Sequence, residues 1–169
     1  MVLTKDELIG SLKDEVRILL HLASKVDSQQ LDYRPTPKQR STLELLQYLT
    51  IVGPIHLGTI ATGVFSMDAW RDMWRSQEEI AAARDLEQTK LKIGSLANMF
   101  GEVIGELSDA DLRAPMEMFG RSASRGLWII RLVLDHYTAY RMQLFLYLKA
   151  SGREELNTMN LWVGMDAPY

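Results

Sequence analysis

SRGLWIIRLVLDHYTAYRMQLFLYLKASG, residues 124–152, is the longest uninterrupted helical pattern in the chain. His136, Tyr140 and Gln143 lie four and then three residues apart in its middle, which places them on one face of a helix. That face continues along the helix through Ile129, Leu132, Val133 and Tyr147. It is therefore predicted to point toward the core, where polar groups need partners. We take this inward-facing patch as the candidate site.

Composition limits the classes of protein to consider. The chain has 169 residues, of which 47% are hydrophobic and 24% charged, as expected for a single domain over residues 1–169. The net charge of -3 and the scattered basic residues argue against nucleic-acid binding. The absence of cysteine excludes disulfides, thiolate metal ligands and a cysteine nucleophile. No window approaches the ~20 apolar residues of a membrane span, so we expect a cytoplasmic protein without membrane contact.

Two capping boxes mark where the first helices begin. Thr4 is followed three residues later by Glu7, and Ser41 by Glu44, with apolar residues at helical spacing after each pair. The first helix is predicted from Thr4 to about Asp27. A proline-containing loop separates it from the second helix.

The second helix carries a predicted kink. Gly53 and Pro54 interrupt its regular part, because proline lacks a backbone donor and clashes with the preceding turn. His56 lies eight residues after Tyr48, about 80° round a regular helix. It is therefore predicted to be a core or boundary histidine away from Tyr48.

The remaining sequence predicts more helices and no strands. Residues 66–83 form a short amphipathic helix with Trp70 and Trp74 on one side, and residues 86–107 form a third long helix. Residues 110–124 are predicted to be an irregular connection, and the apolar tail over residues 153–169 is expected to pack back on the body. The predicted fold is an all-α antiparallel four-helix bundle, with a long helix 2–helix 3 connection that carries the short extra helix.

Two stretches resemble the DinB-like (DinB/YfiT-type) superfamily. LDYRPTPKQRSTLELLQYL, residues 31–49, is similar to the start of that family's second helix, where W/Y-R-P is followed by R/W-S-x-x-E-L-L-x-H-L. DHYTAYRMQLFLYLKASG, residues 135–152, is similar to its last core helix, usually H-x-x-x-H-R-x-Q. Order, spacing and length also agree, so the resemblance covers nearly the whole chain.

The resemblance implies a four-helix bundle, usually a homodimer, with a divalent metal, often nickel or zinc, held by three histidines. Members of known activity include thiol-dependent transferases and isomerases. At the matching positions this chain has Tyr48 on helix two and His136 and Tyr140 on the last helix. Arg141 and Gln143 match the positions that follow. Tyrosine therefore stands at two of the three expected metal-ligand positions.

Tyrosine changes the metal chemistry expected at these positions. A phenol with a pKa of about 10 must lose its proton to bind a metal at neutral pH, which costs about 4 kcal/mol for each tyrosine. A tyrosine oxygen also lies farther from its Cα than a histidine Nε2. We therefore expect no metal, with Tyr48 and Tyr140 hydrogen-bonded to His136. The alternative is an altered metal site that recruits His56 or Asp135.

Three functions remain open from the sequence. The first is a metal-free bundle that binds a small molecule in a pocket lined by polar and aromatic side chains, namely Tyr48, His136, Tyr140, Gln143, Trp70 and Trp74. The second is a transferase or hydrolase whose nickel or zinc is bound by His136, Tyr48 and Tyr140. The third is a metal-free enzyme with His136 as general base and a tyrosine as proton donor.

Overall fold

The computed structural model describes residues 3–167. Its elements in chain order are α1 (Lys5–Ala23), α2 (Thr42–Leu49), α3 (Val52–Thr62), α4 (Met67–Ala82), α5 (Leu86–Glu106), α6 (Asp109–Arg113), β1 (Pro115–Met118), β2 (Arg121–Ser124), α7 (Arg125–Ile129), a π-helical segment (Ile130–Leu134), α8 (Asp135–Ala150) and a second π-helical segment (Met159–Val163). Four long units, α1, α2 with α3, α5, and α7 with α8, surround one apolar core. The predicted all-α helical bundle is confirmed.

The helices begin at the capping boxes that the sequence predicts. The Glu7 carboxylate accepts a hydrogen bond from the Thr4 N–H at 2.7 Å, and the Thr4 hydroxyl accepts one from the Glu7 N–H. Ser41 and Glu44 repeat this arrangement at the start of α2. Each box satisfies two backbone donors that a helix start otherwise leaves free. The end of α1 lies at Ala23, a few residues before the predicted end.

The second long helix is broken where the sequence predicts a kink. Thr50 and Ile51 separate α2 from α3, and Pro54 lies in the first turn of α3. In one regular helix the Pro54 ring would clash with the Thr50 carbonyl, four residues before it. The break relieves this clash.

A tyrosine from the last helix fills the break. Tyr137 is 1% exposed, and its hydroxyl donates a hydrogen bond to the Leu49 carbonyl at 2.8 Å. A Cβ at Gly53 would lie 2.6 Å from the Tyr137 Oη and 2.8 Å from the Phe100 Cζ. Glycine is therefore required at this position, because no side chain fits between the two rings.

The segment Thr42–Thr62 has the length and composition of a membrane span, contrary to the expectation from the sequence. However, 72% of its most apolar window is buried inside the bundle. The apolar residues of α2 and α3 thus form the core, as in the central helix of a soluble protein.

The connection after α6 is a β-hairpin, so the predicted irregular connection without strands is wrong here. Strands β1 and β2 pair antiparallel, with Met116 and Met118 on the buried side. Phe119 and Gly120 form the turn with φ values of 51° and 74°, the positive values that a two-residue hairpin turn favours. The Trp128 indole donates to the Met116 carbonyl at 2.9 Å and thereby fixes the hairpin to the last helix.

The last long helix contains a π-helical segment that changes which residues face the core. A π-turn closes its hydrogen bond over one residue more than an α-turn, so the sequence positions that face the core are shifted by one residue after it. After this segment Tyr137 and Leu144 are buried in the core, whereas His136 and Tyr140 are half-buried on its flank.

The described part of the tail returns along α1. The Arg17 guanidinium donates to the Val163 carbonyl at 2.8 Å, and the Asn160 amide nitrogen lies 3.0 Å from the His21 Nε2. Leu161 is buried in this contact region. The last two residues of the predicted tail lie outside the described residues, and the assignment of one domain to the whole chain stays a prediction.

Candidate functional site

Six ring side chains meet beneath α4, and we call them the aromatic cluster. They come from α2, α3, α4 and α8, and they are Tyr48, His56, Trp70, Trp74, His136 and Tyr140. Five of them were predicted as pocket residues from the sequence. The structure therefore brings together residues that are far apart in the chain, and it adds His56.

The rings lie at the spacing of aromatic pairs in protein cores. The ring centroids of Tyr48 and Tyr140 are 5.0 Å apart, and those of His56 and His136 are 5.4 Å apart. Trp74 lies 5.8 Å from Tyr48 and 5.8 Å from His56. Centroid distances of about 4.5–7 Å are those of favourable aromatic contacts. The rings from the four helices thus pack together as one unit.

Helix α4 covers the cluster and is held to the bundle by few contacts. Within α4, Ala81 is the only buried residue. Trp70 and Trp74 pack against a small apolar group of Ile51, Ile55 and Ala81, and Trp74 also contacts the main core. At the C-terminal end, the Gln47 amide donates to the Arg84 carbonyl at 2.7 Å. Helix α4 is therefore held to the bundle by the hydrogen bond at its C-terminal end and by the packing of its two tryptophans.

Burial keeps the polar rings of the cluster uncharged. Burial, and to a smaller extent the neighbouring His136, lowers the pKa of His56 to about 4. Burial also lowers the pKa of His136, and burial together with the adjacent Tyr140 raises the pKa of Tyr48 far above its ordinary value. At neutral pH both imidazoles and the Tyr48 phenol are therefore neutral.

Two polar atoms in the cluster are buried without a hydrogen-bond partner among the described residues. They are the Nδ1 of His56 and the Nε1 of Trp70, whose rings stack at a centroid distance of 6.0 Å. A buried polar atom without a partner costs about 1–3 kcal/mol, and native structures contain few of them. Both atoms lie on adjacent rings of the cluster, so the cluster holds two polar groups whose hydrogen-bonding capacity is unused.

The hydrogen bonds predicted around His136 differ from those observed. Among residues 3–167, no hydrogen bond joins His136 to Tyr48 or Tyr140; the tyrosine rings contact each other, and His136 lies beside His56. The Gln143 amide donates to the Tyr147 hydroxyl and so points away from the cluster. The sequence predicted His56 as a core or boundary histidine, and it is buried, but its position beside His136 was not predicted because a regular helix places it away from Tyr48. The signal that pointed to it was the predicted break.

A cleft opens beside the cluster on the side of Tyr140. Its volume is about 470 Å³, and it is lined by Lys38, Gln39, Arg40, Tyr140 and Gln143. The Arg40 guanidinium lies 4.0 Å from the centroid of the Tyr48 ring, in a cation–π contact. Tyr140 thus belongs to both the cluster and the cleft, and Arg40 covers one face of the Tyr48 ring. The sequence did not single out the two cations, since they lie on an exposed loop.

Comparison with known proteins supports the fold. No protein-family model matches the chain, and no curated protein matches it either. Among solved structures, the DinB-like protein YjoA from Bacillus subtilis is similar, with a TM-score of 0.67 over 89% of this chain and 96% of that chain. The chain has the DinB-like fold. The sequence identity is 14%, so the likeness concerns the fold alone.

The donors at the expected metal position of the DinB-like fold do not fit the usual three-histidine site. No group of three histidine, aspartate, glutamate or cysteine side chains suited to a metal ion occurs among residues 3–167. His56 and His136 provide two neutral imidazoles, but the raised pKa of Tyr48 makes its phenolate harder to form than an ordinary one. Catalytic zinc usually takes three protein ligands. The site therefore lacks the donor set for that chemistry.

Proposed function

We propose that this DinB-like bundle binds a small organic molecule in the aromatic cluster without a metal. The observation that carries the proposal is the pair of adjacent unpartnered polar atoms, the Nδ1 of His56 and the Nε1 of Trp70. The indole N–H is a donor, and the imidazole nitrogen is an acceptor or a donor according to its tautomer. A ligand with a carbonyl or amide group satisfies both.

The remaining rings suit a planar ligand body. Trp74, Tyr48 and Tyr140 offer aromatic faces, and the neutral imidazoles impose no charge on what they contact. Both unpartnered atoms are covered in the structure described here, so α4 has to move outward for a ligand to reach them. The small number of contacts that hold α4 favours such a movement.

The indole N–H signals of the protein test this proposal by nuclear magnetic resonance. We would titrate uniformly ¹⁵N-labelled protein with 2-naphthamide, an uncharged planar amide, and assign the four indole signals with single Trp→Phe variants. The Trp70 signal is expected to shift most, and His56→Leu to weaken the binding. Trp128, whose N–H is bonded to a backbone carbonyl, and Trp162, which is exposed on the tail, are internal controls. Shifts confined to Trp162 would contradict the proposal.

The alternative function is a metal-dependent transferase or hydrolase. The proximity of His56 to His136 is the one observation that favours it, because two neutral imidazoles are good ligands for a borderline metal ion. Metal analysis of untagged protein, purified without a nickel column, separates the two proposals. Near-stoichiometric zinc or nickel that is lost in His136→Ala would establish the alternative and overturn metal-free binding.

Assembly and location stay predictions. We propose a homodimer because the resemblance to the DinB-like superfamily implies one, and analytical ultracentrifugation tests it. We also propose a cytoplasmic protein that does not bind nucleic acid, on the basis of its net charge of -3 and the scatter of its basic residues.

A further inference from the structure

The cleft beside the aromatic cluster holds two cations without carboxylate partners. Lys38 and Arg40 line it, and neither forms an ion pair with any residue in the described range 3–167. Arg34, on the same loop, is paired with Glu44 at 3.3 Å. The hydrogen bond from the Ser41 N–H is the main cause of the lowered pKa of the Glu44 carboxyl, and Arg40 is near enough to help lower it but forms no ion pair with it. Among the described residues, the loop thus pairs Arg34 directly with an acid and leaves Lys38 and Arg40 without one at the mouth of the cleft.

Arg40 is held in place by an aromatic ring rather than by an acid. Its guanidinium lies 4.0 Å from the centroid of the Tyr48 ring, and this contact leaves the N–H groups at its edges available. A planar guanidinium presents those N–H groups as a fork that matches the two oxygens of a carboxylate. Lys38 adds a second positive charge in the same cleft.

The cleft suits a carboxylate better than a phosphate. Phosphate sites commonly use free backbone N–H groups at a helix start. The start of α2 lies next to Arg40, but the Ser41 and Glu44 N–H groups there are already bonded within the capping box. The donors that remain are the two side chains alone, without the backbone N–H groups that phosphate sites commonly use.

We propose that the ligand of the aromatic cluster is a planar organic acid whose carboxylate binds Lys38 and Arg40 while its apolar body lies against Tyr140. The carbonyl or amide group that meets His56 and Trp70 is then at the opposite end of the same molecule. This inference rests on the proposed function, because Tyr140 lines the cleft and contacts Tyr48 within the cluster. It adds a positively charged anchor beside the uncharged rings of the cluster, and it names the chemical class of the ligand.

Paired probes that differ in charge alone test the inference. 2-Naphthoate and 2-naphthamide have nearly the same shape, and their affinities are measured by calorimetry and by the Trp70 indole signal. The wild-type protein is expected to bind naphthoate about tenfold more tightly, because charge-assisted hydrogen bonds are stronger than neutral ones. A rise in sodium chloride from 50 to 500 mM should weaken naphthoate binding and leave naphthamide binding unchanged.

Three variants locate the carboxylate. Lys38→Gln and Arg40→Gln are each expected to weaken naphthoate binding about fivefold, as for solvent-exposed ion pairs, without changing the affinity for naphthamide. Lys92→Gln is the matched control, since it removes one positive charge from the exposed side of α5, away from the cleft. It should change neither affinity. All three residues are exposed, so the variants are expected to fold.

The outcomes distinguish this inference from the function on which it rests. Equal affinities for the two probes, with the Trp70 signal shifted by both, would overturn the carboxylate assignment and leave the proposed function standing. Tighter binding of naphthoate that neither cleft variant reduces would also overturn the assignment. If neither probe shifts the Trp70 signal in the wild-type protein, both proposals are wrong.

Discussion

Gly53→Ala tests whether the break in the second helix is packed as tightly as the structure indicates. The added Cβ would lie 2.6 Å from the Tyr137 Oη and 2.8 Å from the Phe100 Cζ, far inside normal contact distance. Neither ring has free space to move into, because Tyr137 is 1% and Phe100 0% exposed. The substitution therefore forces one of these buried rings to shift.

The expected cost follows from two effects. Overpacking a core costs about 1–3 kcal/mol. If Tyr137 moves away, its hydroxyl also leaves the Leu49 carbonyl without a donor, which costs about 1–3 kcal/mol for a buried group. The two effects overlap, so we expect Gly53→Ala to lower the free energy of unfolding by about 3 kcal/mol. For a chain of this length that lowers Tm by about 6–12 °C.

The assay is thermal and urea unfolding followed by circular dichroism. Gly58→Ala is the matched control on the same helix, because a Cβ there meets no atom within 4 Å. It should stabilise the protein by up to about 1 kcal/mol, since alanine favours the helix over glycine. Tyr137→Phe removes one of the clashing atoms, so its combination with Gly53→Ala should cost less than the sum of the single variants. Equal stabilities of Gly53→Ala and Gly58→Ala would refute the packing argument.

Two further predictions concern buried polar groups. The pKa of His56 is about 4 in the folded protein, below the ordinary value of 6.5 that it has in the unfolded chain. As the pH falls below 6.5, His56 therefore takes up a proton in the unfolded chain before it does so in the folded protein, and this favours unfolding. Stability is therefore expected to fall by up to about 3 kcal/mol between pH 6.5 and pH 4. His56→Leu should flatten this fall in urea unfolding at stepped pH, and an unchanged pH profile would contradict the assignment. Arg125 donates to the Ile60 and Ala61 carbonyls at 2.9 and 2.6 Å and is 7% exposed, so Arg125→Met should cost about 3 kcal/mol. Arg113→Met, at an exposed ion pair, should cost less than about 1 kcal/mol by the same assay; equal costs would show that Arg125 does not secure the end of α3.

The features of the fold that depend on residues close together in the sequence were predictable from the sequence. Thr4 with Glu7 and Ser41 with Glu44 specify helix starts through bonds between residues three apart, so no tertiary contact is needed to recognise them. The hairpin was missed because its strands are four residues long each. Its turn residues, Phe119 and Gly120, do not form one of the strong hairpin dipeptides.

The arrangement of the candidate site depended on geometry that regular periodicity does not contain. The sequence placed Tyr48, His136 and Tyr140 together through the family resemblance, and the structure brings their rings into one cluster. The partnership of His56 with His136 required the break before α3, whose angle no local pattern specifies. Tyr137 was missed because the predicted stripe assumed a regular helix through the π-helical segment.

That π-helical segment accommodates one residue more than an α-helical turn while keeping the two halves of the last helix aligned. Before it, Arg125 and Trp128 are fixed to α3 and to the hairpin; after it, Tyr137 is fixed to Leu49. Deletion of one residue from 130–134 would convert the segment to regular α-helix and leave both sets of anchors near their partners. The same deletion within the regular part of α8 would rotate the residues that follow it by about 100°. Natural variation in the length of the last helix should therefore be confined to the π-helical segment.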